Sequence, residues 1–427
     1  LRKRAWRQHL RRAIRALPAP LRYKLYRNHI HIDYEPPPGL SIKLAASREE
    51  LEAAFRLLHD RYVVEGYMDP HPSGLRITKY HALPSTSTIV AKMDGVVVGT
   101  VSLVRSGSFG LPLSGLFDVS EYRNRGARLT EVSSLAIDRT YSHRRGAIFF
   151  PLFKYLYEYS TKYFGTDYYV IAVHPRWIDF YKAVLFFKEL DGGSVRRYST
   201  VNGAPAVGAI ACVAELYQQV MIEYSRKPAP KNLFRFFAET EHPSFVLPKR
   251  DVRTVNDPVM TPESLDYFFN KKSNVLETLT DEEKHTLFYL YDSEEYRRIL
   301  PAPNQDVRPL RVKKRFDVDC SARLLIPGKD PIAMEVKSVS REGIGGVTER
   351  RLRTLEVYSL QIAMSAFEIV EVKARIRWAE PRHGAYGFAI VEPGEEWLRF
   401  IDRLDDDLMS PEETCAADAR WLQAMER

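Results

Sequence analysis

The chain has 427 residues, 45% of them hydrophobic and 28% charged, and carries a net charge of +8. That length is too great for one ordinary core and predicts two or three domains. No apolar run approaches the roughly 18–20 residues that cross a bilayer, which argues against membrane-spanning helices, and the basic opening lacks the continuous apolar stretch of a secretory signal. The three cysteines, Cys212, Cys320 and Cys415, have no metal-ligand spacing and not the even count of a disulfide framework. No metal is therefore expected, and the cytoplasm is the expected compartment. Between Leu1 and Ile32 stand ten Lys or Arg and no acid. This segment outweighs the net charge of the whole chain, so the body is nearly neutral and global basicity gives no reason to expect a nucleic acid polymer.

Residues 1–38 read as a basic amphipathic segment and linker. Trp6, Leu10, Ile14 and Leu17 share a helical face, with arginines on the other faces until Pro18 and Pro20. Two readings stand side by side: a helix lying on anionic lipid at the inner face of a membrane, or a helix docked on the body. Pro36-Pro37-Pro38-Gly39 reads as a linker. Ser47 and Glu50 form a capping box ahead of the helical stripe Leu51, Ala54, Phe55, Leu58 and Tyr62. Thr86 to Met93 and Val96 to Val104 are β-rich runs joined by Asp94-Gly95, a hairpin signal.

Glu131 to Asp138 reads as a strand, Gly146 to Phe164 as an aromatic-rich helix, and Asp167 to Val173 as another strand. Pro175 suits the first turn of a helix reaching about Phe187. Val207 to Leu216 reads as a further strand. Helices are expected at Pro262–Asn270 and Asp281–Tyr291, in an extension beginning at about 217 and closing a domain that spans 39–300. Pro301, Pro303 and Pro309 mark a boundary. Short strands and turns then fill 305–402, and 403–427 is an acidic helical tail, the helical pattern running from Trp397 to about Leu408.

The order hairpin, strand, loop, helix, strand, helix resembles the GNAT acyltransferase fold over about residues 40–215. More narrowly it resembles FeeM-type N-acyl amino acid synthases and their relatives, the acyl-homoserine lactone synthases. Three stretches carry the resemblance. The helix Phe55–Tyr67 is similar to the early helix that covers the acyl site in both families. Glu131-Val132-Ser133-Ser134-Leu135-Ala136-Ile137 is similar to the Glu-Leu-Ser-Arg strand of the lactone synthases. Ser134 stands where those enzymes carry Arg, which argues against S-adenosylmethionine as acceptor. His143-Arg144-Arg145-Gly146-Ala147-Ile148 resembles the pyrophosphate loop of GNAT enzymes, with His143 and Ile148 departing from it.

The resemblance implies an acyl-phosphopantetheine thioester as donor, with Arg144, Arg145 and Gly146 holding its phosphate. Backbone N–H groups at a helix N-terminus favour phosphate. Ile148 gives less clearance than the family's small residue, so the single phosphate of an acyl carrier protein arm fits more easily than a coenzyme A pyrophosphate. Arg123, Arg125 and Arg128 add to a basic cluster suited to an acidic carrier protein; the same arginines also suit a solvated surface. Acyl transfer to an amine needs a base for the amine and an acid for the departing thiolate. Glu131 is the candidate base and Tyr181, in Phe180-Tyr181-Lys182, the candidate acid. The alternatives are a salt-bridged carboxylate and a core aromatic. Backbone N–H groups near Leu135–Ile137 would polarise the thioester carbonyl. Phe149, Phe150, Phe153, Tyr155, Tyr157, Tyr159, Tyr163 and Phe164 suit an acyl tunnel and an ordinary core equally well.

Arg311-Val312-Lys313-Lys314-Arg315, followed by Ser338-Val339-Ser340-Arg341-Glu342-Gly343, resembles the PilZ signature over about residues 305–402. It implies a small antiparallel β-barrel and cyclic di-GMP as a regulatory ligand, with Arg311, Arg315, Ser338, Ser340 and Gly343 in its site. Arg matches both phosphates and guanine edges bidentately. Ser338 departs from the family's Asp or Asn, and a short hydroxyl reaches a guanine edge less well.

The fold class expected is α+β: a GNAT-like mixed α/β domain followed by a PilZ-type barrel. The function expected is an acyltransferase that moves a fatty acyl group from acyl carrier protein to an amino acid or similar amine, modulated by cyclic di-GMP. A non-enzymatic cyclic di-GMP effector on a degenerate acyltransferase scaffold is the competing class, and a lactone synthase a third.

Overall fold

The computed structural model describes residues 17–107, 109–124, 127–142, 146–248, 260–291, 294–302, 316–326, 330–348, 350–353, 357–364, 369–380 and 385–406. The expected stripe from Trp6, most of the Pro301–Pro309 boundary and the tail beyond Asp406 lie outside them. Helix α1 (Ala19–His29) packs on the body: Arg22 pairs with Asp179 at 3.1 Å and Arg27 with Glu223 at 2.7 Å. Two of the ten basic residues of the opening segment are thereby held by the protein itself.

The first body is a nine-stranded mixed sheet in the order β6-β8-β5-β4-β3-β2-β1-β9, with β7 also paired to β8. Its strands are β1 (Leu40–Leu44), β2 (Thr86–Met93), β3 (Val96–Arg105), β4 (Leu129–Ile137), β5 (Tyr168–Val173), β6 (Lys188–Glu189), β7 (Val195–Tyr198), β8 (Ala204–Cys212) and β9 (Phe245–Val246). β2 and β3 form the expected hairpin, and Asp94 and Gly95 both have positive φ, as its tight turn requires. Strand β1, which follows the Pro-rich linker, has no counterpart in the sequence reading: it is five residues long and one of its alternate residues is a lysine.

Helix α2 (Arg48–Glu65) begins at Ser47, whose side chain accepts from the Glu50 N–H. The reciprocal half of the expected capping box is replaced, because Glu50 instead accepts from the Ala46 N–H at 3.0 Å and pairs with Lys43 and Lys92. Helix α3 (Phe149–Phe164) starts three residues later than the pattern suggested. Gly146 has φ +94°, a left-handed conformation that cannot lie inside a helix, and a Cβ there would meet the Phe150 ring at 2.6 Å. Helix α4 (Pro175–Leu185) opens on Pro175 as expected.

The expected strand Val207–Leu216 is corrected by the structure. β8 ends at Cys212, opposite the first residue of β5. With no partner strand beyond Tyr168, the chain turns into helix α5 (Val213–Tyr224), burying Val220 and Tyr224 one turn apart. The aromatic side of α3 is core: Tyr155, Tyr159, Tyr163 and Phe164 are buried, and the Tyr155 hydroxyl donates to the Val246 carbonyl at 2.8 Å. A cavity bounded by Phe153, Leu156, Tyr169, Leu185, Val220 and Phe237 measures only about 30 Å³, the share of one water molecule.

The extension builds a second core against α2. Leu265, Phe268, Phe269, Leu276 and Leu287 pack with Leu51, Ala54 and Phe55. The helix expected from Pro262 runs to Asp266 and widens into a π turn over Tyr267–Lys271; α6 (Asp281–Leu290) follows. The Tyr291 hydroxyl donates to the Ala82 carbonyl at 2.6 Å, and Lys79 pairs with Glu283. The extension thus braces the segment between α2 and β2.

The C-terminal body is a closed antiparallel barrel in the order β10-β11-β12-β15-β14-β13. Its strands are β10 (Phe316–Leu325), β11 (Ile332–Ser340), β12 (Gly343–Val347), β13 (Val357–Ala363), β14 (Ile369–Glu380) and β15 (Ala385–Ile390). Alternation of buried and exposed residues along β11 and β13 fills the interior. Helix α7 (Glu395–Asp406) crosses the expected 402/403 boundary, because Trp397, Phe400, Ile401 and Leu404 fall on one face and close the barrel's core.

Candidate active site

The sheet opens at one place. β4 runs parallel to β5 but pairs with it only at Leu129–Tyr168, Thr130–Tyr169 and Glu131–Val170. Beyond that point β5 stays with β8 as far as Val173, and β4 stays with β3 as far as Ile137. The two strands therefore part, and the backbone groups of β4 that face β5 have no strand to bond there. A register shift interrupts the pairing of β4 with β3 between Ser133 and Ala136, and Ser134 carries φ +54°. A non-glycine residue in that region is strained and re-aims its neighbours. Leu135–Ile137, expected to polarise a thioester, follow directly on this bulge.

Glu131 is the last residue of β4 paired to β5, and it is 2% exposed. Its Oε2 accepts from the Leu113 N–H at 2.8 Å. Among the described residues no cation pairs with it; Arg125, Arg144 and Arg145, named in the salt-bridge alternative, lie outside them. Burial without a counter-charge pushes its pKa from 4.5 up to about 8, and the Leu113 hydrogen bond offsets this only in part. The carboxyl is consequently poised near neutrality, the condition that suits a general base.

Three phenols sense this carboxylate: Tyr62 from α2, Tyr80 from the segment before β2, and Tyr198 from the end of β7. Burial raises the pKa of each, that of Tyr80 to about 12, so all three stay protonated at neutral pH. Tyr181 of α4 packs edge-on against Phe180 and Phe187. Burial raises its pKa as well, and the Tyr62 phenol adds to the rise. Tyr62 thus lies within electrostatic reach of both expected catalytic groups. The rim of the opening is tied by Arg176, which donates to Glu65 at 2.6 Å and to the Tyr67 hydroxyl at 3.1 Å.

Arg144 and Arg145 lie outside the described residues, as do His143 and Arg125. Gly146 stands two residues before Ile148, which precedes α3, makes no side-chain cap and is buried beside Gly99. Arg128 is engaged by Asp167 at 3.1 Å, and Arg123 donates to the Ser114 hydroxyl at 3.4 Å. These two arginines are held in place on the body.

The reading from sequence singled out Glu131 and Tyr181 but gave no role to Tyr62, Tyr80, Tyr198 or the Leu113 N–H, which the structure brings to Glu131. Tyr62 counted as one member of an apolar stripe. The others sit in connections and in a four-residue strand, where periodicity has nothing to say.

Residues 53–211 match the family model described as N-acyl amino acid synthase FeeM. This part of the chain is an acyltransferase. Among solved structures, FeeM, an N-acyl amino acid synthase from uncultured soil microbes, is 28% identical, with 43% of this chain and 96% of that chain covered and a TM-score of 0.38. BjaI, a CoA-dependent acyl-homoserine lactone synthase, is 18% identical over 46% of this chain and 99% of that chain, with a TM-score of 0.33. The synthase LasI is 13% identical over 49% and 98%, with a TM-score of 0.32. Curated proteins give no match. The acyltransferase domain accounts for the body that carries Glu131; the barrel lies beyond the matched residues.

In the barrel, Arg311 and Arg315 fall outside the described residues. Ser338 sits on β11 opposite Asp317 and Gly345, next to a register shift. Ser340 is buried and donates from its hydroxyl to the Gly343 carbonyl at 3.3 Å. Ser340 therefore helps shape the β11–β12 turn, and Gly343, expected to keep an approach open, is buried in that turn. Among the described residues no cluster of three His, Cys, Asp or Glu side chains is arranged to hold a metal, and no helix is long and apolar enough to cross a membrane.

Proposed function

We propose that the chain is an N-acyltransferase that moves a fatty acyl group from the phosphopantetheine thioester of an acyl carrier protein to an amino acid or similar amine. The observation that carries this reading is Glu131: a buried carboxyl with no counter-ion among the described residues, raised to about pKa 8, at the point where β4 and β5 separate. A donor thioester enters between the parted strands, its phosphate near Arg144, Arg145 and Gly146. Glu131 takes the proton of the acceptor amine, directly or through one water. The nitrogen attacks the thioester carbonyl, whose oxygen is held by β4 backbone N–H groups. The carbon–sulfur bond then breaks, the amide forms, and Tyr181 supplies the proton that the leaving thiolate needs.

Expression of the chain followed by lipid extraction and mass spectrometry is expected to reveal N-acylated amino acids. An extract with no new lipid would leave a non-enzymatic scaffold, and a lactone product would make the protein a lactone synthase.

The barrel is proposed as a PilZ-type domain through which cyclic di-GMP modulates transfer. Its closed six-stranded form and the Arg311–Arg315 and Ser338–Gly343 motifs support that assignment. Titration calorimetry with cyclic di-GMP should give binding that Arg311→Ala and Arg315→Ala each weaken at least tenfold. No heat with the unaltered chain would remove the nucleotide from the account. The proposed location is the cytoplasm, at the inner face of the membrane, where the basic excess of residues 1–32 favours anionic lipid.

A further inference from the structure

We infer that Arg76 selects the acceptor: its guanidinium binds the carboxylate of an α-amino acid whose amine is turned toward Glu131. The inference rests on the acyl-transfer reading above and names the acceptor class within it.

Arg76 stands in the connection between α2 and β2. Its backbone N–H donates to the Phe55 carbonyl at 3.0 Å, which fixes the residue on α2. Its guanidinium reaches across the site. Nη2 donates to the Thr200 carbonyl, in the turn between β7 and β8, at 2.8 Å, and Nη1 meets only the Met68 thioether, at 3.9 Å. The guanidinium carbon lies 4.5 Å from the centre of the Tyr62 ring. Among the described residues no carboxylate pairs with it.

Other arginines of the same body differ in this respect. Arg61 and Arg176 share Glu65, Arg56 has Glu52, and Arg128 has Asp167. Arg76 has instead the phenols of Tyr62 and Tyr198, and burial lowers its pKa. A partly desolvated cation without a counter-ion is costly to hold. A guanidinium carries five N–H donors, and one carbonyl and one weak sulfur acceptor leave enough of them for a bidentate carboxylate.

Position supplies the rest of the argument. Tyr62 and Tyr198 each sense both Arg76 and Glu131. A fixed cation and a proton-accepting carboxyl therefore border the same pair of phenols. An α-amino acid carries its carboxylate and its amine on one carbon and presents an anion to the first while its nitrogen faces the second, directly or through one water. An amine lacking the carboxylate leaves Arg76 uncompensated.

The test compares leucine with 3-methylbutylamine, its decarboxylated counterpart, as acceptors for the same acyl-carrier donor. The unaltered enzyme is expected to prefer leucine in kcat/KM by about 10- to 100-fold. Arg76→Gln should bring that ratio close to one, chiefly through a higher KM for leucine, and Arg76→Lys should restore part of it. Circular dichroism and the melting temperature establish that each variant is folded. An unaltered enzyme that uses the two amines equally, or an Arg76→Gln ratio equal to the unaltered one, would overturn the inference while leaving acyl transfer intact. Failure of the unaltered enzyme to acylate either amine, with carrier-protein and coenzyme A donors alike, would sink the acyl-transfer reading and this inference together.

Discussion

Glu131→Gln is expected to abolish acyl transfer while making the protein more stable at alkaline pH. General-base assistance contributes about 10²- to 10⁴-fold, and glutamine cannot take a proton from the amine. It does keep the shape of the side chain and an oxygen to accept the Leu113 N–H. The sign of the stability change follows from the raised pKa. Glu131 is neutral in the folded protein up to about pH 8 but ionises near pH 4.5 once unfolded. Over that interval the folded state binds the extra proton, so stability falls as pH rises from about 4.5 to about 8 and levels off above it. Glutamine removes that loss. The variant should match the unaltered protein near pH 4 and exceed it at pH 8 by on the order of 3–5 kcal/mol. In the unaltered enzyme kcat/KM should climb about tenfold per pH unit and level off near pH 8, as the carboxyl ionises. Urea denaturation at the two pH values and a pH–rate profile check both statements. Turnover unchanged in the variant would take Glu131 out of the chemistry.

Trp397→Ala is expected to cost the barrel about 3–5 kcal/mol, which for a domain of this size lowers its melting temperature by roughly 15–30 °C. Trp397, in the first turn of α7, is fully buried. Its indole N–H points at the carbonyls of Ser340 and Arg341, each at 3.2 Å. Truncation removes the largest side chain of that core and leaves both carbonyls without their donor. Because Ser340 and Gly343 shape the same turn, the loss reaches the segment proposed for nucleotide contact. Trp397→Phe keeps most of the volume and loses the hydrogen bond, so an intermediate loss of about 1–3 kcal/mol is expected. Differential scanning calorimetry of the full chain reads the barrel transition directly. A transition unmoved in the alanine variant would mean that α7 does not hold the barrel closed.

The amino-acid order by itself determined the elements with strong local signals. Asp94-Gly95 dictates a hairpin because both positions accept positive φ, and Pro175 suits a first helical turn. Glu131 stood out through the resemblance of Glu131–Ile137 to the Glu-Leu-Ser-Arg strand of the lactone synthases. The spacing of apolar residues in the last third also made short strands the expectation there, and α7 was visible as an amphipathic run from Trp397. Periodicity could not place the end of β8, since Val207 to Leu216 is apolar throughout; the absence of a partner strand beyond Tyr168 decided it. Nor could spacing anticipate that β4 and β5 part after Glu131, or that Ser134 is held at positive φ. Both depend on which strand lies alongside.

The surroundings of the carboxyl were likewise settled only by tertiary structure. Tyr62, Tyr80, Tyr198 and Arg76 come from α2, the connection between α2 and β2, and a short strand, separated by up to 136 positions between Tyr62 and Tyr198. No local rule links them. A pKa responds to the burial and charge that packing assembles from distant parts of the chain. The identity of Glu131 was therefore written in the order of residues, while its readiness to take a proton came from the fold.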